Sequence, residues 1–248
     1  MSLLVLKPGL LDTIQDQGRF GHAQQGINPS GAMDMAALRV ANSLVGNPTD
    51  TAVLELHFPG PALRFEQVIL FALSGGDFTP QLDGSPIPMQ TPVLAAAGAT
   101  LTFGQVQTGV RSYLAVQGGF DLEPWLGSRS TNRVAQSGGF KGRALQTDDQ
   151  LPFVQENGLP GIEDGLNFKT LPWKVDANWL YPKDQALRFC PGPEYEQLND
   201  ASKDFFEQNY WLITLQSDRM GYQMRGPVLQ LAEAKEMVSS AVSPGTIQ

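Results

Sequence analysis

The chain has 248 residues, and its 17 Lys and Arg against 25 Asp and Glu give a formal net charge of −8. Nucleic-acid backbones are bound by basic surfaces, so this charge argues against a nucleic-acid partner. The apolar fraction of 42% is typical of globular proteins and too high for a disordered chain. No apolar run is long enough to span a membrane and no leader pattern opens the sequence, so we expect a cytoplasmic protein without membrane contact.

Short apolar runs separated by turn residues fill the first 116 positions. Gly (26) and Pro (18) are frequent and charged residues make up only 17% of the chain, which favours many short strands over long surface helices. This spacing predicts a mainly β protein, a barrel or sandwich with a few short helices. The predicted strands are 3–6, 53–58, 65–73, 93–97, 100–103 and 110–116.

The clearest predicted helix follows residues 29–34. Ser30 is the predicted N-cap, and Asp34 suits the positive end of the helix dipole. An apolar stripe then recurs at helical spacing through Ala37, Leu38, Ala41, Leu44 and Val45. Residues 46–48, Gly-Asn-Pro, end the helix.

Beyond residue 150 the periodicity fades, and we interpret 151–184 as a connector held down by Trp173 and Trp179. A boundary near residue 184 divides an N-terminal β module with its connector, 1–184, from the start of a C-terminal β module, 185–248. In the second module we predict a strand over 185–190 with a buried Cys190. A helix is predicted over 201–208, capped by Asn199 or Asp200, and a strand over 211–216. Residues 244–248 resemble the start of a strand, so the second module is expected to be incomplete.

One sequence motif occurs twice in the chain. Residues 13–26, TIQDQGRFGHAQQG, are repeated with one deletion as residues 214–226, TLQSDRMGYQMRG. Each copy leaves a strand and enters a polar turn that carries Arg19 or Arg219. A planar guanidinium can clamp a carboxylate, so two such turns could line one cleft. Alternatively, each arginine ties its own loop to backbone carbonyls or to the nearby Asp16 and Asp218.

Two other polar groupings are candidates for chemistry. Glu55 and His57 share one face of a predicted strand and could act as acid and base, although a solvated outer face is the favoured interpretation. Residues 127–133, GSRSTNR, offer two arginines and three hydroxyls without an acid, which suits a carboxylate or a phosphate. The alternative is a solvated loop with arginine–carbonyl contacts. A single Cys and two His argue against a disulfide and a zinc site, so no metal is predicted.

These segments resemble one family. Residues 13–19, 30–34, 127–131 and 217–222, with Glu55 and the glycine pair 118–119, stand in the order typical of the allophanate hydrolase subunit 2 family, also called the biotin-dependent carboxyltransferase family. The resemblance covers nearly the whole chain and implies a cyclophilin-like β-barrel architecture.

The resemblance also implies a function and partners. It implies the C component of a 5-oxoprolinase-like complex that opens 5-oxoproline to glutamate with ATP hydrolysis. The partner would be a protein like allophanate hydrolase subunit 1 or the B component of 5-oxoprolinase, with a third 5-oxoprolinase subunit in the complex. This chain alone would bind no cofactor, since the complex handles ATP. The alternatives are a carboxyltransferase component of a urea carboxylase and allophanate hydrolase system, whose biotin sits on another protein, and a non-catalytic subunit that antagonises a kinase inhibitor.

Site residues are carried over on the matching motifs. The predicted catalytic carboxylates, which orient substrate or move protons, are Asp16, Asp34, Glu55 and Asp218. The predicted substrate-binding residues, in which Arg19, Arg129 and Arg219 hold anionic groups, are Gln15, Arg19, Ser128, Arg129, Thr131, Arg219 and Tyr222.

Overall fold

The computed structural model describes residues 2–154, 162, 165–177, 187–233, 242–243 and 245–248. The chain divides into two compact units, 1–182 and 183–248. The predicted boundary near residue 184 and the predicted Trp179 contact both lie in 178–186, outside the described residues. Trp173 does hold its segment down, since its indole N–H donates to the Leu44 carbonyl at 3.2 Å. Among the described residues, no helix is long and apolar enough to cross a membrane.

Two antiparallel sheets of six strands each build the first unit. The first sheet contains, in spatial order, β11 (Gln150–Pro152), β1 (Ser2–Lys7), β4 (Ala62–Phe65), β9 (Thr100–Phe103), β6 (Pro80–Leu82) and β7 (Ser85–Pro86). The second contains β12 (Phe168–Thr170), β8 (Pro92–Ala95), β5 (Ile69–Asp77), β10 (Thr108–Val116), β3 (Val53–His57) and β2 (Thr13–Gln15). The prediction of a mainly β fold is confirmed, while closure into a cyclophilin-like barrel stays a prediction.

Alternation along the strands places the main core between the two sheets. In β3, Leu54 and Leu56 belong to a buried cluster that also contains Leu3 and Leu63 of the first sheet. Val53 belongs to a second cluster on the opposite face. Since successive side chains of a strand point to opposite faces, the second sheet must be covered on both sides. Each fully buried leucine contributes about 1.5–3 kcal/mol to this arrangement.

The helix α1, Met35–Leu44, covers the outer face of the second sheet. All five residues of the predicted apolar stripe are buried. The N-cap is Asp34, whose side chain accepts a hydrogen bond from the Ala37 N–H. The prediction of Ser30 as the cap is therefore wrong, because Ser30 has a φ of 56° and its hydroxyl accepts from Arg19 instead.

The predicted strand 65–73 forms parts of two strands. β4 ends at Phe65 and β5 begins at Ile69, and the two strands belong to different sheets. The polar residues Glu66 and Gln67 lie where the chain crosses over. The sequence does not show where one strand ends and the next begins, because the residues on both sides of the crossover are apolar and pack into the same core.

The second unit contains a short 3₁₀ helix, Tyr195–Gln197, and the helix α2 (Asp200–Gln208). It also contains a hairpin of β13 (Leu212–Ile213) and β14 (Met224–Arg225). Asn199 caps α2 as predicted, accepting from the Ser202 N–H. The predicted strand 211–216 is only two residues long, because Leu212 and Ile213 pair with Arg225 and Met224 and a turn begins at residue 215. Cys190 is exposed, and 187–190 is not strand, so its predicted burial is wrong; residues 185–186 lie outside the described part.

Candidate functional site

Asp16 joins the end of β2 to the polar segment around residue 130. Its Oδ1 accepts hydrogen bonds from the Ser128 hydroxyl (2.6 Å) and the Ser130 hydroxyl (2.5 Å), and also from the Gly18 N–H (2.8 Å). Its Oδ2 accepts from the Arg129 N–H at 2.5 Å. Four donors converge on one buried carboxylate, so this group fixes the geometry of both segments.

Arg19 is buried within the same network, with 2% of its surface exposed. It donates to the backbone carbonyl of Ser130 and to the Ser30 hydroxyl, and its guanidinium stacks 4.6 Å from the centre of the Trp125 ring. Burial lowers the pKa of Arg19, and the charge of Asp16 opposes that effect. Arg19 is therefore bound within the protein, as in the alternative in which each arginine ties its loop to backbone carbonyls. Binding of an anion by Arg19 stays a prediction.

Two loops are thereby joined side by side, and we call residues 17–33 and 125–143 the paired loops. Besides the Arg19 contacts, the Asn132 amide donates to the Asn28 side chain at 3.1 Å. Gly138 has a φ of 70°, and a Cβ at that position would overlap the Ser130 carbonyl oxygen. Only glycine allows this close approach of Ser130 and Gly138 within the 125–143 loop.

Glu55 is fully buried between the sheet and the start of α1. Its Oε2 accepts from the Met33 N–H at 3.0 Å and from the Tyr113 hydroxyl at 2.9 Å. The Tyr113 hydroxyl in turn accepts from the Asp34 N–H at 2.8 Å. The interpretation of this strand face as solvated is wrong, because β3 lies inside the sheet and residues 32–34 cover the carboxylate. Burial, with the charge of Glu55, raises the pKa of Tyr113 far above its usual range.

His57 lies on the same face and is held by two opposite contacts. Its Nδ1 lies 2.6 Å from the Leu11 carbonyl, so Nδ1 carries the proton. Its Nε2 accepts from Arg111 Nε at 3.1 Å, and that same arginine nitrogen lies 3.9 Å from Glu55 Oε1. Since the basic lone pair of His57 already accepts from Arg111, the predicted acid–base pair would require Arg111 to move.

Two residues that were not among the predicted site residues complete this cluster. Tyr113 and Arg111 both follow from the register of β10 with β3, which pairs Tyr113 with Glu55 and Arg111 with His57. Pairing partners are invisible in a sequence until strand order is known, although both residues lie in the predicted strand 110–116. Asp12 is a further buried carboxyl; it accepts from the Gly9 N–H, and burial raises its pKa to about 7.

Gln15 lies beside this cluster and is almost fully buried. Its Nε2 donates to the Thr13 hydroxyl at 3.0 Å, whereas its Oε1 has no hydrogen-bond partner in the described structure. Buried carbonyl oxygens without a donor are uncommon in folded proteins. The Gln15 Oε1 is therefore an unsatisfied buried acceptor beside the Glu55 cluster.

The first unit brings eight of the predicted site residues to one region. The Asp16 network and the Glu55 cluster meet at residues 32–34, since the Ala32 N–H donates to the Asp16 carbonyl and Met33 donates to Glu55. The members are Gln15, Asp16, Arg19, Asp34, Glu55, Ser128, Arg129 and Thr131. Ser128 and Thr131 are buried, and Arg129 is exposed.

Asp218, Arg219 and Tyr222 lie in the second unit. Asp218 Oδ1 accepts from the Met220 and Gly221 N–H groups, at 2.7 and 3.2 Å, and so shapes its own turn. Asp218 and Tyr222 are exposed. A pocket shared with Arg19 stays a prediction. No group of three metal-binding side chains occurs among the residues that the structure describes.

Known proteins are similar to this chain in sequence and in architecture. The family model described as "Carboxyltransferase domain, subdomain A and B" matches residues 25–248. The C component of the Escherichia coli 5-oxoprolinase is 37% identical over 99% of this chain and 76% of its own length. The urea amidolyase of Saccharomyces cerevisiae is 33% identical over 89% of this chain and 12% of its own length. The crystal structure of the K. lactis urea amidolyase superimposes with a TM-score of 0.79 at 30% identity, over 94% of this chain and 14% of that one.

Proposed function

Because the chain belongs to the carboxyltransferase-domain family of subdomains A and B, we propose that it is the C component of a 5-oxoprolinase-like complex. In this proposal the complex opens 5-oxoproline to glutamate with ATP hydrolysis, in the cytoplasm, and this chain supplies part of the site. The observation that carries the proposal is the 37% identity with the E. coli 5-oxoprolinase component over 99% of the chain. Urea amidolyases match only through a small part of their length.

The chemistry of a cyclic amide suits the cluster around β2 and β3. A lactam carries one N–H donor, and the unpartnered Oε1 of Gln15 is our proposed acceptor for it. Glu55 is the proposed proton-moving group, since its neighbours Tyr113 and Met33 fix its orientation. Asp16, whose carboxylate already binds four donors within the protein, is proposed to position the loops.

The anionic group of the substrate needs a cation. Arg129 is an exposed cation next to the Asp16 network, because its own N–H binds that carboxylate. We propose that Arg129 and Arg19 hold anionic groups in a site shaped by Asp34, Ser128 and Thr131. We also propose that Arg219, with Asp218 and Tyr222, holds an anionic group in the second unit. Activity is proposed to require a partner like the B component of 5-oxoprolinase, which we call the B-component partner, and a third subunit; together these would handle ATP.

The test is reconstitution of the complex. The chain is co-expressed with the B-component partner and the third subunit, and 5-oxoproline-dependent ATP hydrolysis and glutamate formation are measured together. Glu55→Gln keeps the size of the side chain and one acceptor oxygen for Met33 and Tyr113, and should lower glutamate formation about 100-fold or more if Glu55 moves a proton. Glu66→Gln, at an exposed turn of the same unit, is the control. Equal rates for wild type and Glu55→Gln would remove Glu55 from the reaction.

A second candidate is favoured by the matches to urea amidolyase. In that case the chain is the carboxyltransferase component and receives a carboxyl group from carboxybiotin on another protein. Avidin, which sequesters biotin, would abolish the activity of such a system and leave 5-oxoproline opening unchanged. One assay with and without avidin separates the two proposals.

A further inference from the structure

We propose that the paired loops form a docking surface for an acidic segment of the B-component partner. This inference rests on the proposed function for the identity of that partner. It concerns the exposed residues Phe20, Arg133, Val134 and Lys141 on the outer surface of the loops, whereas Arg129 stays assigned to the anionic group of the substrate.

The charge of the paired loops is opposite to that of the rest of the chain. The chain has 25 acidic residues and a net charge of −8, yet residues 17–33 and 125–143 contain neither Asp nor Glu. They carry five cations: Arg19, Arg129, Arg133, Lys141 and Arg143. A basic region on an acidic protein attracts an acidic partner and disfavours pairing of this region with the same region of a second copy.

The cations differ in how the structure uses them. Arg19 is buried in the network described above, and Arg143 donates to Asp149 through both terminal nitrogens, at 2.6 and 2.8 Å. Arg129, Arg133 and Lys141 are exposed. The Nε of Arg129 is anchored on the Leu122 carbonyl at 2.7 Å, which orients the outer part of the guanidinium. Lys141 Nζ also lies 3.7 Å from Asp149 Oδ1, an ion pair of an exposed lysine that water screens. The outer surface therefore presents three cations, one of which is partly offset by Asp149.

Exposed apolar side chains accompany these cations. Phe20 follows the buried Arg19 and is 72% exposed, and Val134 follows Arg133 and is 86% exposed. Both stand on backbone that the Arg19 and Asn132 contacts hold in place. Protein interfaces combine exposed aromatic anchors with a polar rim, and a rigid surface loses little conformational entropy on binding. Aromatic and aliphatic anchors also favour a protein segment over a small anion.

The experiment measures affinity for the purified B-component partner of the same genome, at about 50 mM and about 300 mM NaCl. We expect wild-type binding to weaken at the higher salt. Arg133→Glu/Lys141→Glu, at two exposed positions outside the predicted substrate contacts, should weaken binding on the order of 100-fold at low salt and flatten the salt dependence. Lys7→Glu/Arg39→Glu, which reverses two exposed cations elsewhere in the same unit, should bind like wild type. Phe20→Ser should weaken binding without changing the salt dependence.

Three results would overturn the docking surface. The loop variant could bind as tightly as the control variant, or wild type could fail to bind the partner. Alternatively, about 10 mM inorganic phosphate at constant ionic strength could displace the partner from wild type, which would indicate a small-anion site. Turnover by the reconstituted complex is measured separately. Equal binding by the loop and control variants, with intact 5-oxoproline opening by wild type, refutes the surface alone; weaker binding by the loop variant, without 5-oxoproline opening by wild type, refutes the proposed function alone.

Discussion

Removal of the Asp16 carboxylate is the sharpest test of how the paired loops are built. Asp16→Ala leaves four donors without their acceptor, of which the Ser128 and Ser130 hydroxyls can rotate toward other acceptors. The Gly18 and Arg129 N–H groups are fixed by the backbone. A hydrogen bond to a charged acceptor contributes about 1.5–3 kcal/mol. We therefore expect the free energy of unfolding to fall by about 3 kcal/mol or more.

Two measurements check this expectation. Urea unfolding gives the loss of global stability, and limited trypsin digestion gives local opening, because Arg129 and Arg133 are cleavage sites within one paired loop. Opening of that loop should make cleavage there faster well below the unfolding midpoint. Asp50→Ala, at an exposed position of the same unit, is the control. An unchanged urea midpoint together with unchanged cleavage of the Asp16 variant would refute the pinning of the loops by this carboxylate.

Three further substitutions test separate parts of the structure. Burial raises the pKa of Asp12 from 3.8 to about 7, so the folded protein binds this proton more tightly than the unfolded chain does. The free energy of unfolding should therefore fall as the pH rises from about 4 to about 7, by up to roughly 4 kcal/mol. Asp12→Asn should remove that loss, which urea unfolding at several pH values measures; an identical pH profile would contradict this assignment. Tyr113→Phe leaves the Asp34 N–H and Glu55 without the hydroxyl and should cost about 1–3 kcal/mol, seen as a lower melting temperature; an unaltered melting temperature would show that the hydroxyl contributes nothing. Gly138→Ala should accelerate tryptic cleavage of the paired loops, since its Cβ would overlap a carbonyl oxygen; cleavage at the wild-type rate would show that the backbone can shift.

Local patterns were sufficient for much of the fold. The mainly β architecture, the stripe of α1 and the Asn199 cap of α2 follow from side-chain periodicity and capping chemistry, which operate within a few residues of the chain. The same locality explains the errors. Ser30 and Asp34 both suit an N-cap by residue type, and the choice between them depended on Arg19, which binds the Ser30 hydroxyl from the preceding turn.

The candidate site shows the same division. By itself, the sequence determined which residues carry charge and hydrogen-bonding groups, that Asp16 and Arg19 share a turn, and that the segment 127–133 lacks acids. Only the tertiary structure decided that Glu55 is buried rather than solvated, that Tyr113 and Arg111 face it, and that Arg19 is enclosed by Ser130 and Trp125. The physical reason is that burial and partnership depend on strand order and register, which place residues far apart in the chain within hydrogen-bonding distance.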